Sequence, residues 1–400
     1  MKITRCSKIQ SLIPAGALSI ALCFVSPVSA EVHSYILDFN GKGLTDLGTL
    51  GGGFTHAYEI NDAGQVIGVS ATAAGAEHAF ITGPNGVGMT DLGTLGGSNS
   101  AASGINDAGQ VVGLSDTAAG DKHPFITGPN GVGMTDLRTR SGSYLEALGI
   151  NNAGQVVGVS ATDTGAHAFI TGPNGVGMTD LGTLGGRYSA ALGVNNAGQV
   201  VGVSTTVAGA EHAFITGPNS AGMTDLGTLG GGSARAFGIN DAGQIVGVST
   251  TAAGTTHAFI TGPNGLGMLD LGVLGGNFSN AFGINDAGHA VGSSTTTDAG
   301  DDVAFIAGPN GVGVTDLNSL VDLPPGLVLE SARDINNEGQ IIAEGFLPIP
   351  EPQSYALILV GLILVGFMAR RNLESSRSNK VIAAVDSGTA RAVPFFVIRR

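Results

Sequence analysis

The sequence predicts an all-β fold, a β-propeller of seven four-stranded blades closed in a ring, on three observations: a long period, a turn-rich composition and complementary ends of the repeat region. The string Asn-Asp/Asn-x-Gly recurs at Asn61, Asn106, Asn151, Asn195, Asn240, Asn285 and Asn336, at steps of 45, 45, 44, 45, 45 and 51 residues.

 A 45-residue period built from two unlike hairpins matches a four-stranded propeller blade, whereas a β-helix would show a shorter rung of similar half-repeats. Gly accounts for 67 of 400 residues, Trp is absent and charged residues are 12%, which suits short strands joined by tight turns better than amphipathic helices. The repeat region begins with only the second hairpin of a repeat and ends near Phe346 with only the first. Joined in one blade, those halves close six complete repeats into a ring of seven four-stranded blades and leave no terminal blade unpaired. An open β-solenoid is the alternative.

Each period reads as four strands. Ala-x-Gly-Ile-Asn and Gln-Val-Val-Gly-Val-Ser flank the turn Asn-Asp-Ala-Gly, where Gly64 and its equivalents supply a positive φ. His-Ala-Phe-Ile-Thr and Met-Thr-Asp-Leu-Gly flank Gly-Pro-Asn-Gly, in which Pro presets φ and Asn-Gly completes the reversal. Phe80, Phe125, Phe169, Phe214, Phe259 and Phe305 share one slot in the third strand, and burying each there contributes roughly 1.5–3 kcal/mol. They are expected in the core.

Residues 31–345 hold 7 Lys/Arg against 28 Asp/Glu, a balance of −21. A surface this acidic repels phosphate backbones, so no nucleic-acid partner is expected. Both cysteines, Cys6 and Cys23, fall in the first thirty residues, which leaves the repeats without disulfide or thiolate chemistry.

The ends read as targeting segments. Lys2, Arg5 and Lys8 precede an apolar run over residues 12–24, and Val28-Ser29-Ala30 offers small residues for signal peptidase, with cleavage between Ala30 and Glu31. A lipoprotein signal at Cys23 is disfavoured by the preceding Leu22. Near the other end, Pro350-Glu351-Pro352 leads into an apolar run over residues 355–368, closed by Arg370 and Arg371. Prolines keep the chain extended, the apolar run enters the bilayer as a single membrane helix, and the arginines act as a basic stop on the cytoplasmic side. The run is short for a permanent span, and it reads better as a processing signal. The expected organisation is a signal peptide over 1–30, repeats over 31–346, a sorting signal over 347–371 and a tail over 372–400.

The order of motif, helix and arginines resembles the PEP-CTERM sorting signal of Gram-negative bacteria. That resemblance implies an exosortase-type membrane enzyme as partner, with Pro350, Glu351 and Pro352 as its recognition motif. It also implies a protein held transiently in the inner membrane and then released to the cell surface or beyond. Tails of that family usually end soon after the arginines, whereas 29 residues follow here, either a cytoplasmic extension or read-through. Residues 33–346 resemble the HAF family of extracellular repeat proteins, through the three recurring strings in fixed order and a closing stretch Asp316-Leu317-Asn318-Ser319-Leu320. Ile-Thr stands where members of that family often place Leu-Trp. The resemblance implies a surface location and no defined activity.

Candidate sites are few. One His per repeat, at His33, His78, His123, His167, His212 and His257, could line a ring, but Val303 vacates one slot, and metal ligands must converge within about 2.0–2.2 Å of one ion. A strand-end His bonded to a backbone carbonyl explains the pattern more simply. Asn-Asp pairs such as Asn61-Asp62 offer two side-chain oxygens each, where a calcium loop needs about six ligands. No nucleophile elbow, phosphate loop or carboxylate pair breaking the repeat pattern is apparent, so no catalytic residue, metal or cofactor is expected. The reading is a non-enzymatic structural or interaction protein, with a module binding exopolysaccharide or surface proteins as the alternative. Tyr144, Tyr188 and Phe278, placed near loops, are the aromatic residues for such binding.

Overall fold

Two hairpins per repeat lie side by side, and local turn chemistry sets where the chain reverses. The computed structural model describes residues 32–38, 43–137, 145–297, 301–346 and, near the C-terminus, 361–362, 364–366 and 368–371. In the first complete repeat, Gly51–Ile60 pairs antiparallel with Val66–Thr72, then Glu77–Thr82, then Met89–Asp91. Gly64 takes φ +73° in the first turn, and a Cβ there would stand 2.8 Å from the Asn85 backbone nitrogen. In the second turn Pro84 opens a short 3-10 turn in which Asn85 adopts φ 58°, a left-handed conformation that Asn tolerates better than most residues.

The same order recurs in sheets 2 to 6, whose inner strands are Gly96–Ile105, Leu145–Ile150, Gly185–Val194, Gly230–Ile239 and Gly275–Ile284. Sheet 7 is assembled from both ends of the repeat region. Val328–Ile335 pairs with Gln340–Phe346, which pairs antiparallel with Val32–Asp38 from Val32 opposite Phe346 to Asp38 opposite Gln340, and Leu44–Asp46 forms the outer edge. The expected pairing of the end hairpins is therefore present, and the result is an all-β array of repeated four-stranded sheets.

Inner strands carry a bulge not legible from the repeat strings, a register shift between Ala57 and Glu59 in sheet 1. Gly68, in the strand beside it, lies so close to the bulged strand that an added Cβ would fall 1.9 Å from the His56 carbonyl oxygen. That contact leaves only glycine room at the centre of Val-x-Gly-Val-Ser. Phe80 is paired directly across from Gly68, and at the equivalent Gly113 an added Cβ would also meet the facing ring, 2.9 Å from Phe125 Cε1.

The core is divided into slabs between neighbouring sheets. Phe80 packs with Ala57, Ile60 and Val66 of its own sheet and with Ile36, Leu47 and Ile342 of sheet 7; Phe125 of sheet 2 packs likewise against Ile67, Ala79 and Ile81 of sheet 1. All six Phe of the slot are buried, as expected, and Tyr35 takes that position in sheet 7. The outermost strands are shorter than the strings suggest, three residues in Met89–Asp91.

The signal-peptide residues, including Ala30 and Glu31, and the motif Pro350-Glu351-Pro352 lie outside the described residues. In the C-terminal unit, residues 361–362, 364–366 and 368–371 are helical and Arg370 and Arg371 are exposed. Among the described residues no helix is long and apolar enough to cross a membrane; most of the apolar run over 355–368 that is expected to do so falls between or outside them.

Candidate functional site in the central channel

The seven inner strands surround a channel, and its first mouth is built from the Asn-Asp turns. Within each turn the Asn side chain is buried. Asn61 accepts from the Gln65 backbone N–H through Oδ1 at 2.9 Å and donates through Nδ2 to the Asn106 carbonyl of the next sheet at 3.1 Å. The relay continues from Asn106 to Asn151, Asn195, Asn240, Asn285 and Asn336. It closes when Asn336 donates to the Asn61 carbonyl at 3.0 Å.

A second ring runs through the following residue of each turn. The Asp62 N–H donates to Asp107 Oδ1, and the pattern passes through Asn152, Asn196, Asp241, Asp286 and Asn337 until the Asn337 N–H donates to Asp62 Oδ1 at 3.0 Å. The Asn-Asp pairs, weighed in the sequence as calcium donors, thus spend their side-chain oxygens within the ring, the Asn on its own turn and the second residue on the neighbouring turn. Among the described residues no group of three or more His, Cys, Asp or Glu is placed to hold a metal ion.

Inside the mouth the channel encloses about 770 Å³, and its wall departs from seven-fold symmetry. Two slots per inner strand face it. The first holds Tyr58, Ser103, Leu148 and Leu192 on one arc and Phe237, Phe282 and Arg333 on the other. The second is glycine in five sheets, but Glu59 in sheet 1 and Asp334 in sheet 7. This carboxyl pair does break the repeat pattern, contrary to the sequence reading. Its two members lie 275 residues apart in the chain, and only ring closure makes their sheets neighbours.

Glycine fits the slot because the strands crowd there. A Cβ on Gly104 would stand 2.9 Å from the Gly149 Cα, and one on Gly193 2.8 Å from the Phe237 carbonyl oxygen. The two acids instead direct their carboxylates to the next strand. Glu59 Oε2 accepts from the Ile105 N–H at 2.9 Å, and Asp334 Oδ2 accepts from the Ile60 N–H at 3.1 Å. Both are open to the channel but surrounded by protein. Burial, reinforced by the Asp334 charge, pushes the Glu59 carboxyl up to about 8, against the opposing hydrogen bond from Ile105. Burial likewise pushes Asp334 up to about 7, against hydrogen bonds from Ile60 and Ile335. Both carboxyls are therefore held toward their neutral forms near pH 7.

The other charges of this seam hold one another. Arg333 donates to Glu344 through Nη2 at 2.8 Å, His56 bonds the same carboxylate at 3.0 Å, and the guanidinium lies 5.0 Å from the centre of the Phe282 ring. Phe282 in turn packs against Phe237 with ring centres 5.9 Å apart. Burial, and next the Glu344 charge, raises the Tyr58 hydroxyl above its ordinary value.

The repeated His residues lie elsewhere. Each sits on a third strand and bonds through Nδ1 to the Asp carboxylate thirteen residues later on the outer strand, from His33 with Asp46 at 2.7 Å to His257 with Asp270 at 2.9 Å. The intervening pairs are His78 with Asp91, His123 with Asp136, His167 with Asp180 and His212 with Asp225. This corrects the expectation of a backbone carbonyl partner: the Asp of Thr-Asp-Leu reaches back to the His while its other contact, to the Gly two residues on, shapes the following turn. Where Val303 replaces His, Asp316 caps the 3-10 turn Leu317–Ser319 by accepting from the Asn318 N–H. Tyr188 and Phe278 occupy inner strands rather than loops, and Tyr144 lies outside the described residues.

No protein-family model matches the chain, and no curated protein sequence does. Among solved structures it is similar to oligogalacturonate lyase from Vibrio parahaemolyticus, with 8% identity, a TM-score of 0.49 and coverage of 80% of this chain and 97% of that one. TolB from Acinetobacter baumannii gives 11% identity and a TM-score of 0.43, over 70% of this chain and 63% of that one. A puromycin-hydrolyzing peptidase from Mycobacterium tuberculosis gives 13% and 0.49, over 71% of this chain and 48% of that one. Likeness at this level transfers no activity from any of them.

Proposed function

We propose that the chain is a seven-bladed β-propeller exported to the surface of a Gram-negative bacterium, where it has a structural or interaction role and catalyses no reaction. The observation that supports this most is the pair of closed hydrogen-bond rings at the channel mouth. They tie near-identical repeats into one body whose turns are committed to holding neighbours rather than to loops that vary from blade to blade. The acidic balance of the repeats suits a soluble exterior. In this reading the segment over 347–371 is a sorting signal, with Glu351 fixed between two prolines as a rigid charged tag beside the membrane.

An epitope placed after Arg400 tests the sorting step. It should be absent from the mature surface protein and persist in Glu351→Ala, which should remain in the inner membrane with its tail attached. Persistence of the epitope on surface protein of the parent chain would make the tail an anchor and overturn the processing step. The aromatic side chains of Tyr58, Phe237 and Phe282 in the channel wall favour a second reading, a ligand-binding module.

A further inference from the structure

Five sheets show that ring closure needs only glycine at the second channel slot, so Glu59 and Asp334 are not explained by the architecture. Two carboxyls side by side inside a protein repel one another and resist losing their protons. No Lys or Arg counts among the charges acting on either one, because the guanidinium of the adjacent Arg333 is bound to Glu344 and stacked on Phe282. The chain thus encloses two acidic groups without supplying a counter-charge that would let them ionise.

That position opens into a cavity of about 770 Å³, a volume typical of small-molecule sites. The half-buried rings of Phe237 and Phe282, on the two sheets that precede sheet 7, stand in its wall, and an aromatic face attracts a cation placed within about 6 Å of its centre. At Phe282 the Arg333 guanidinium already occupies such a position, 5.0 Å from the ring centre, which leaves Phe237 for a bound cation. The mouth adds Asp62, Asp107, Asp241 and Asp286 to the channel lining, a negative rim that draws cations inward and repels anions.

We infer that the channel binds a small organic cation, an ammonium group carrying an apolar body, beside the Glu59 and Asp334 carboxyls with the Phe237 ring in its wall. The carboxyls provide the counter-charge, and the aromatic and aliphatic wall covers the body. This site does not depend on where the chain resides, so its test is separate from that of the sorting signal.

Isothermal titration of the full chain with benzyltrimethylammonium should show saturable single-site binding. Benzyl alcohol, lacking the charge, should bind at least about ten-fold more weakly, and benzoate should not bind. A cation beside the pair favours its ionised form, so binding near pH 7.5 should release protons, read as a dependence of the heat on buffer ionisation enthalpy. The double variant Glu59→Gln, Asp334→Asn should bind about ten-fold more weakly and lose the proton release, while Asp163→Asn, an exposed acid outside the channel, should leave both unchanged. Should the double variant fail to fold, Glu59→Gly, which restores the residue of five other sheets, serves in its place. Equal binding of benzyl alcohol, binding of benzoate, undiminished binding in the variants, or no saturable binding by the parent would each overturn the site.

Discussion

Glu59 holds its proton up to about pH 8 and Asp334 to about pH 7, whereas an unfolded chain gives up both near pH 4. Between about pH 4 and 8 the unfolded chain therefore binds fewer protons than the folded one, and the pair's contribution to stability falls as pH rises through that window. Below it both states are protonated and the contribution vanishes. Glu59→Gln keeps an oxygen for the Ile105 N–H but removes the charge. The variant should be more stable than the parent by about 1–2 kcal/mol at pH 9 and equal to it at pH 4, measured by denaturant unfolding at both values. A variant less stable than the parent at pH 9 would mean that the ionised carboxylate is a favourable partner there. Both acids were visible in the sequence as departures from Ala-x-Gly-Ile-Asn, but their adjacency was not, because it exists only across the closure between sheets 7 and 1. The His-Asp pairs were equally visible as a thirteen-residue spacing repeated six times and lost with Val303; what concealed them was that the two partners belong to different strings.

At the scale of the hairpin, turns and alternation carried most of the information. Asn-Asp-Ala-Gly and Gly-Pro-Asn-Gly specify reversals by backbone preference alone, so the strand order follows from them. The inner-strand bulge and the shortness of the outer strand depend on contacts between strands, which no local string encodes. Phe169 tests the slab packing: it is 2% exposed between sheets 3 and 2, and Phe169→Ala should cost about 3–5 kcal/mol by denaturant unfolding. Tyr188 is 38% exposed, and its truncation to Ala should change stability by less than about 1 kcal/mol. Asn195 tests the relay. Its side chain accepts from the Gln199 N–H and donates to Gln199 Oε1 and the Asn240 carbonyl, so Asn195→Ala strands buried partners on two sheets and should cost about 2–4 kcal/mol. A loss no larger than that of Tyr188→Ala would show that water replaces these bonds.

At the scale of the molecule, the slabs make each sheet depend on two neighbours, and stability then resides in interfaces more than in single repeats. A linear stack would leave two outer faces uncovered; pairing Val32–Asp38 with Gln340–Phe346 covers both at once. Closure was legible because the ends of the repeat region are complementary halves of one period. Its strength was not, since the links across the seam come from three different positions, two in the turns and one at the end of the inner strands: Asn336 to Asn61, Asn337 to Asp62 and Ile60 to Asp334. Removing residues 328–346 deletes the inner half of sheet 7 and all of these links. The strands Val32–Asp38 and Leu44–Asp46 would then be an isolated hairpin, which is marginal in water at best, and the slab containing Ile36, Leu47 and Phe80 would lose Ile342. Hydrogen exchange in the truncated protein should therefore show residues 32–38 and 44–46 exchanging freely and protection in Gly51–Ile60 reduced, while sheets 3 and 4, far from the cut, keep more of theirs. Protection retained over residues 32–38 would show that this hairpin docks on sheet 1 without its partner, and that the ring is held by face-to-face packing rather than by the shared sheet.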